Sequence, residues 1–377
     1  MASIDQYVII GTRRWARVMA FELNCSVPSD KVINMIDDPS ETSLKEWLVS
    51  EGLGTRISLI HELLPCPIDA TGVAFVVNSA YLHRHAIENA LLLGYSVVSE
   101  KPASLSKQET TYLVDLAKAL GLQFFCTNTY LFATYLDSFK KEWIAGQHLK
   151  RMHICWSDPR AEIRHGMPKS YDSSIPILYD MLPHVANIIF LIAGGGKLTS
   201  LDLQVKRGGS MVVLQCTSGN LEISVSLERN ANQRIRSIAI DGTNENILLD
   251  FSAEPGFISI NQAPIVQLAP EWRHQLKPIA LMILSVQNFF ESGSIDPRLS
   301  PSAAIFGNEL IDAIVTSYVD QQISFFRSYS GKKYDDIREP DFCYALKEAT
   351  SIANRGLPYL SIDSPLRKLV LADTSLK

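Results

Sequence analysis

Over its first 126 residues the chain alternates short apolar, β-rich runs with helical segments. That alternation restricts the fold more than any other feature. "YVIIG" (7–11) is an apolar run that ends in glycine, and "RWARVMAFEL" follows with helical periodicity. "KVINMIDD" (31–38), "GVAFVVNS" (72–79), "YSVVSEK" (95–101) and "LQFFCT" (122–127) read as further strands. "TSLKEWLVSEGL", "LHRHAIENALLLG" and "SKQETTYLVDLAKALG" fill the gaps as helices. Thr42 is placed to cap the first of these and Gly94 to close the second. Ser106 with Glu109 forms a capping box on the third. Strands and helices alternating at this length predict an α/β unit with a doubly wound parallel sheet. Such sheets bind ligands at the carboxyl ends of their strands.

Beyond residue 126 the pattern changes. "YLDSFKKEWIAG" is helical and "LKRMHICWSD" is a strand. In "GNLEISVSLE", Leu221, Ile223, Val225 and Leu227 alternate with polar neighbours, as on a half-buried strand. "IRSIAIDGTNENILLDF" reads as two strands joined near Gly242, and "GFISIN" and "PIVQL" add two short ones. These predict an α+β region with an open, largely antiparallel sheet covered by helices on one face. "KPIALMILSVQNFFESG" (277–293) is a strongly apolar helix. A later helix sets Leu310, Ile311, Ile314, Val315, Tyr318, Val319 and Ile323 on one stripe, as for core packing. A last helix ends at Gly356. The expected organisation is a dinucleotide-binding domain over residues 1–126. A substrate-binding and oligomerisation domain follows over 127–377, its last helices free to pack back on the first.

At 377 residues the chain exceeds one ordinary core. A net charge of −5 and the absence of any Lys/Arg-rich run argue against nucleic acid as a partner. No apolar run approaches the roughly 20 residues that span a bilayer, and "MASIDQYVIIGT" shows neither a basic leader nor a signal segment. The six cysteines lack C-x-x-C spacing, so no metal site is expected and reduced thiols in a cytoplasm are.

The first strand–helix turn reads Gly11-Thr12-Arg13-Arg14-Trp15-Ala16. Against G-x-G-x-x-G/A, the first glycine and last small residue fit, while Arg13 replaces the glycine that lets backbone approach a pyrophosphate. A helix N-terminus still attracts anions, and Arg13 and Arg14 either touch phosphate or are solvated. Asp37 ends the second strand where a carboxylate would accept hydrogen bonds from the ribose hydroxyls and repel a 2′-phosphate. NAD is therefore favoured, with the arginines keeping NADP open. Asn78 and Ser79 end the third strand, either as a simple turn or as contacts to ribose or phosphate. Glu100 and Lys101 end the fourth, before Pro102.

These pieces resemble the glucose–fructose oxidoreductase/inositol dehydrogenase (Gfo/Idh/MocA) family. The resemblance rests on "VIIGTRRWAR", on "VVNSAYLHRHAIENALLLG" with its Leu-His pair, on the Glu-Lys-Pro of "SEKPAS", and on "YDSSIPILYDMLPHVANIIF" (171–190) with Asp-x-x-x-His. It implies that Lys101 lies beside the nicotinamide and the substrate, that Asp180 and His184 complete the polar site, and that His83 lies near the cofactor. It also implies a homo-oligomer. Hydride transfer at an alcohol or carbonyl needs a proton acceptor or donor, and an imidazole suits that near neutral pH. His184 is thus the first choice for acid/base. Asp180, one helical turn earlier, either orients the imidazole or binds a substrate hydroxyl. Lys101 would stabilise negative charge on the carbonyl oxygen. Pro183 either kinks or begins a helical stretch there.

"SDPRAEIRHGMPKSYD" (157–172) reads as a loop carrying Arg160, Lys169 and Tyr171. It is either a solvated surface or a binding loop for an acidic substrate, whose anionic groups arginine grips bidentately. The expected activity is NAD(P)-dependent oxidation or reduction of a sugar, cyclitol or related polar metabolite. The alternatives are an imine reductase and a non-catalytic dinucleotide-binding sensor or scaffold.

Overall fold

The computed structural model describes residues 3–37, 43–164, 167–169, 175–267, 277–329, 331–332 and 336–355, with backbone alone at 164, 167–169, 264–267 and 353–355. The chain begins with β1 (Gln6–Ile10), α1 (Arg14–Ser26), β2 (Val32–Ile36), α2 (Ser43–Ser50), β3 (Ile57–Ile60) and β4 (Gly72–Val76). It continues with α3 (His83–Leu92), β5 (Ser96–Ser99), α4 (Lys107–Ala119) and β6 (Phe124–Cys126). The six strands are parallel in the order β3-β2-β1-β4-β5-β6, the doubly wound order expected from the alternation. β3 is the strand of this sheet that the sequence reading missed. "ISLI" is a four-residue edge strand among turn residues, too short for periodicity to show. Ser106 caps α4 by accepting from the Glu109 amide at 3.2 Å, and the Glu109 carboxylate accepts from the Leu105 amide. Thr42 and Gly356, the other predicted helix ends, lie outside the described residues.

After β6 come α5 (Thr134–Ser138), a π-helical turn over Phe139–Ile144, and β7 (Arg151–Pro159). Then β8 (Glu162–Arg164) pairs antiparallel with β9 (Met167–Lys169). The stretch 157–172, expected to be a loop, thus contains the end of a long strand and a small hairpin. Lys169, read as a loop residue, lies in β9 instead. Next are α6 (Ile177–Asp180), α7 (Leu182–Ala193), β10 (Thr199–Lys206), β11 (Met211–Ser218), β12 (Leu221–Ala231), β13 (Ile235–Asp241), β14 (Asn246–Asp250), β15 (Phe257–Ile260) and β16 (Ala263–Gln267). The chain closes with α8 (Pro278–Ser292), α9 (Ser302–Arg327) and α10 (Pro340–Arg355). The second sheet runs β10-β11-β12-β7-β13-β14-β15-β16, antiparallel throughout except where β12 meets β7.

Two compact units result. One comprises Met1–Thr134 and Trp272–Asn308, the other Tyr135–Glu271 and Glu309–Lys377. In the first, α8 returns to the parallel sheet. Gln287 donates to the Tyr7 hydroxyl and the Ser26 carbonyl, and Phe289 meets Phe125 edge-on at 5.4 Å. In the second, the inward row of β12 (Leu221, Ile223, Val225, Leu227) is buried, and β12 packs against α6 and α7.

Candidate active site

In the first unit the chain leaves β1, runs out to β3, and returns on the other side at β4. That reversal is where doubly wound sheets open a binding crevice. Gly11 follows β1 with φ +150°, and a Cβ there would lie 3.0 Å from the backbone of Val77 and Asn78. Only glycine allows the two strand ends to approach this closely. Arg13 is the N-cap of α1 without a side-chain cap, and the first turn has no acidic residue. The helix therefore presents backbone donors suited to an anion. Arg14 packs over the Trp15 ring at 5.3 Å, while Arg13 is exposed. Asp37, beyond β2, is half-buried; its amide donates to the Ile60 carbonyl at 2.7 Å, and its carboxylate lies 3.9 Å from Nδ1 of exposed His61.

Asn78 and Ser79 end β4, both half-buried. The Asn78 Oδ1 is buried and has no hydrogen-bond partner among the described residues, an acceptor suited to a ligand N–H or O–H. His83 is fully buried. Its Nδ1 lies 2.6 Å from the Pro102 carbonyl oxygen and its Nε2 3.1 Å from that of Asn78. Burial holds its pKa below the usual histidine value, so the ring is neutral at physiological pH. It ties the turn after β4 to the bend after β5. At that bend Glu100 is buried and accepts from the Thr127 hydroxyl; burial raises its carboxyl pKa, opposed by the Lys101 charge beside it. The pair is therefore not simply solvated. Lys101 is half-buried, and its bond to Pro102 is cis.

In the second unit Asp180 ends α6 and His184 lies in the first turn of α7, with Pro183 among its opening residues. Proline begins a helix here rather than kinking one. Asp180 and His184 therefore lie on two consecutive short helices, not one turn apart on a single helix. Both are half-buried. The Asp180 carboxylate accepts from Arg229 Nη2 at 3.1 Å. Arg229 is 1% exposed, and its Nη1 also reaches the Ile175 carbonyl at 2.7 Å and the buried Glu348 carboxylate at 3.3 Å. Tyr318 donates to the other Glu348 oxygen at 3.1 Å. The His184 ring stacks on Trp156 at 5.2 Å with planes 17° apart. Arg236 lies 3.9 Å over the same Trp156 and donates to Asp158 and the Ser157 carbonyl.

Arg229, Trp156, Glu348 and Thr127 were missed from sequence. For Arg229 a signal existed, since the alternation that buries Leu227 places residue 229 on the same row. Arg160 packs over the Tyr344 ring at 5.3 Å. Lys169 sits in β9, but its side chain, like Tyr171 altogether, is outside the described residues. Among the described residues no cluster of His, Cys, Asp and Glu is arranged to hold a metal ion, and no helix is long and apolar enough to cross a membrane.

The switch-point turn, its uncapped helix and the Asn78 acceptor fit a dinucleotide. Fold and turn together define the class, a nicotinamide-dinucleotide-dependent oxidoreductase. Residues 6–128 match the model of the GFO_IDH_MocA oxidoreductase family, NAD-binding Rossmann fold. No curated protein matches the chain. Solved structures share the fold at low identity. UDP-N-acetylglucosamine 3-dehydrogenase GnnA from Acidithiobacillus ferrooxidans is 14% identical with a TM-score of 0.64, covering 83% of this chain and 96% of that one. A single-residue variant of KijD10, a 3-ketoreductase from Actinomadura kijaniata in complex with TDP-benzene and NADP, is 15% identical with a TM-score of 0.65, covering 84% and 98%. The dehydrogenase MviM from Clostridium difficile is 15% identical with a TM-score of 0.65, covering 83% and 99%.

Proposed function

We propose that the chain transfers hydride between a nicotinamide and a hydroxyl or carbonyl carbon of a sugar, cyclitol or related polar metabolite. The observation that carries this reading is the polar pair on α6 and α7. Arg229 holds the Asp180 carboxylate, and Trp156 stacks on the His184 ring, in a chain whose first domain is of the NAD-binding type. GnnA and KijD10 act on a sugar nucleotide and a keto compound by name, which supports a polar oxygen-rich substrate. The bound nicotinamide supplies the hydride acceptor or donor. Gly11, Thr12, the α1 amides, Arg13, Arg14 and Trp15 would hold the pyrophosphate side of the dinucleotide. Asp37 would hold the adenosine ribose, and Asn78, Ser79 and Glu100 the nicotinamide side.

His184 takes the hydroxyl proton on oxidation and returns it on reduction. Trp156 limits the ring's tilt, and a fixed donor direction matters for proton transfer. Asp180 accepts a hydrogen bond from a substrate hydroxyl, its carboxylate held in place by Arg229. Lys101 stabilises the oxygen as it gains negative charge. Arg160, Lys169 and Tyr171 are the side chains assigned to an acidic group of the substrate.

The test is a panel of polar alcohols and ketones followed at the reduced-nicotinamide absorbance band. On the best substrate, Lys101→Ala and His184→Ala should each keep NADH affinity while kcat falls by about 100-fold or more, the size of a lost general acid–base or charge contribution. Full activity in both variants removes these roles.

A further inference from the structure

The structure assigns to Asn230 a part in substrate binding, its side-chain amide donating a hydrogen bond to an oxygen of the substrate; this rests on the activity proposed above. Along β12 the burial alternates regularly up to Glu228, and then Arg229, Asn230 and Ala231 are all buried. The pairing with β7 shifts register between Glu228 and Ala231, which marks a β-bulge. Asn230 has φ +55°, a left-handed conformation that most side chains avoid. It is 6% exposed, and its Nδ2 is buried without a hydrogen-bond partner among the described residues.

Asparagine is among the few non-glycine residues that adopt this conformation, which accounts for its backbone but not for its buried amide. A left-handed bulge position is served best by glycine, which has neither strain nor a polar group to bury. An unsatisfied buried amide donor costs about 1–3 kcal/mol. A ligand oxygen would satisfy it. Bulges often re-aim side chains beside active sites, and the preceding residue, Arg229, holds Asp180. The strand carrying both packs against the helices of Asp180 and His184. An amide N–H can only donate, so its partner is a lone pair on a hydroxyl, carbonyl or carboxylate oxygen. That chemistry is what a sugar or cyclitol presents.

Two substitutions separate ligand binding from a backbone role, because both glycine and aspartate tolerate the left-handed conformation. Asn230→Gly removes the amide, and Asn230→Asp replaces a donor with an acceptor. The full-length enzyme is assayed with D-glucose, myo-inositol and UDP-N-acetylglucosamine. With any probe the wild type oxidises, both variants should raise KM by about tenfold, one lost hydrogen bond to a buried group. NADH affinity and unfolding midpoint should stay at or above wild type in Asn230→Gly. Wild-type KM in both variants overturns the assignment and leaves the oxidoreductase reading standing. If the wild type oxidises none of the three, the proposed activity on such substrates fails separately. Asn230 is then judged by the shift in unfolding midpoint each probe induces. A shift lost in both variants supports the assignment, and equal shifts in wild type and variants overturn it.

Discussion

A guanidinium on the apolar row of a strand has to find anions, because an unpaired buried charge costs far more than the strand can supply. Arg229 finds the Asp180 carboxylate and the buried carboxyl of Glu348, and so fixes the carboxylate that the sequence singled out. The candidates Lys101, Asp180 and His184 were legible because each stands in a recognisable motif. The residues that hold them were not, since Arg229, Trp156 and Glu348 are scattered along the chain and meet only through sheet register and helix packing. Asp37 belongs to the legible set. Its carboxylate would repel a 2′-phosphate, and His61 lies 3.9 Å away, ready to face one if the carboxylate were gone. Asp37→Ala should therefore shift the ratio of NADPH to NADH affinity upward by about tenfold, a typical worth for removing one close charge repulsion. Fluorescence titration of the two reduced cofactors reads it, and an unchanged ratio takes Asp37 away from the ribose.

Elements were legible where periodicity was long. The apolar runs of β1, β4 and β5 and the capping box of α4 stand as read, whereas four-residue β3 and the β8–β9 hairpin do not. Runs of three or four residues are too short for alternation to show, so they read as loop. The turn from β1 to α1 is the opposite case, in which one residue type decides the element. Gly11 has φ +150°, and a Cβ would press on the Val77 and Asn78 backbone at 3.0 Å, a neighbour that cannot yield like a side-chain tip. Gly11→Ala should cost about 2 kcal/mol of stability from strain and crowding. It should also weaken NADH binding by displacing the α1 amides. Chemical denaturation and cofactor titration measure the two effects. A variant that unfolds and binds as wild type would show that the strand ends need no glycine between them.

At the scale of the molecule, the sequence reading set the change of architecture after residue 126, and β6, the last strand of the parallel sheet, ends at Cys126. It left open which late helix returns to that sheet. α8 does so through Gln287 and Phe289, and only three-dimensional packing reveals it, because an apolar helix is equally at home on either core. The pH dependence of stability also belongs at this scale, since it sums over buried groups. Burial pushes the Glu348 carboxyl from 4.5 up to about 7, against the pull of Arg229. A raised carboxyl pKa means the folded protein holds a proton that the unfolded chain releases. The contribution of Glu348 is thus fully present below pH 4.5 and is lost as pH climbs through about 7. The change amounts to about 3 kcal/mol at most over that window. Glu348→Gln cannot ionise but keeps an oxygen for Arg229, so its stability should lack this decline. Urea unfolding of both proteins at a series of pH values should show the wild type losing ground to the variant between pH 4.5 and about 7, with a constant gap above. Parallel curves across the window would mean that Glu348 is ionised in the folded protein throughout, its charge fully met by Arg229 and Tyr318.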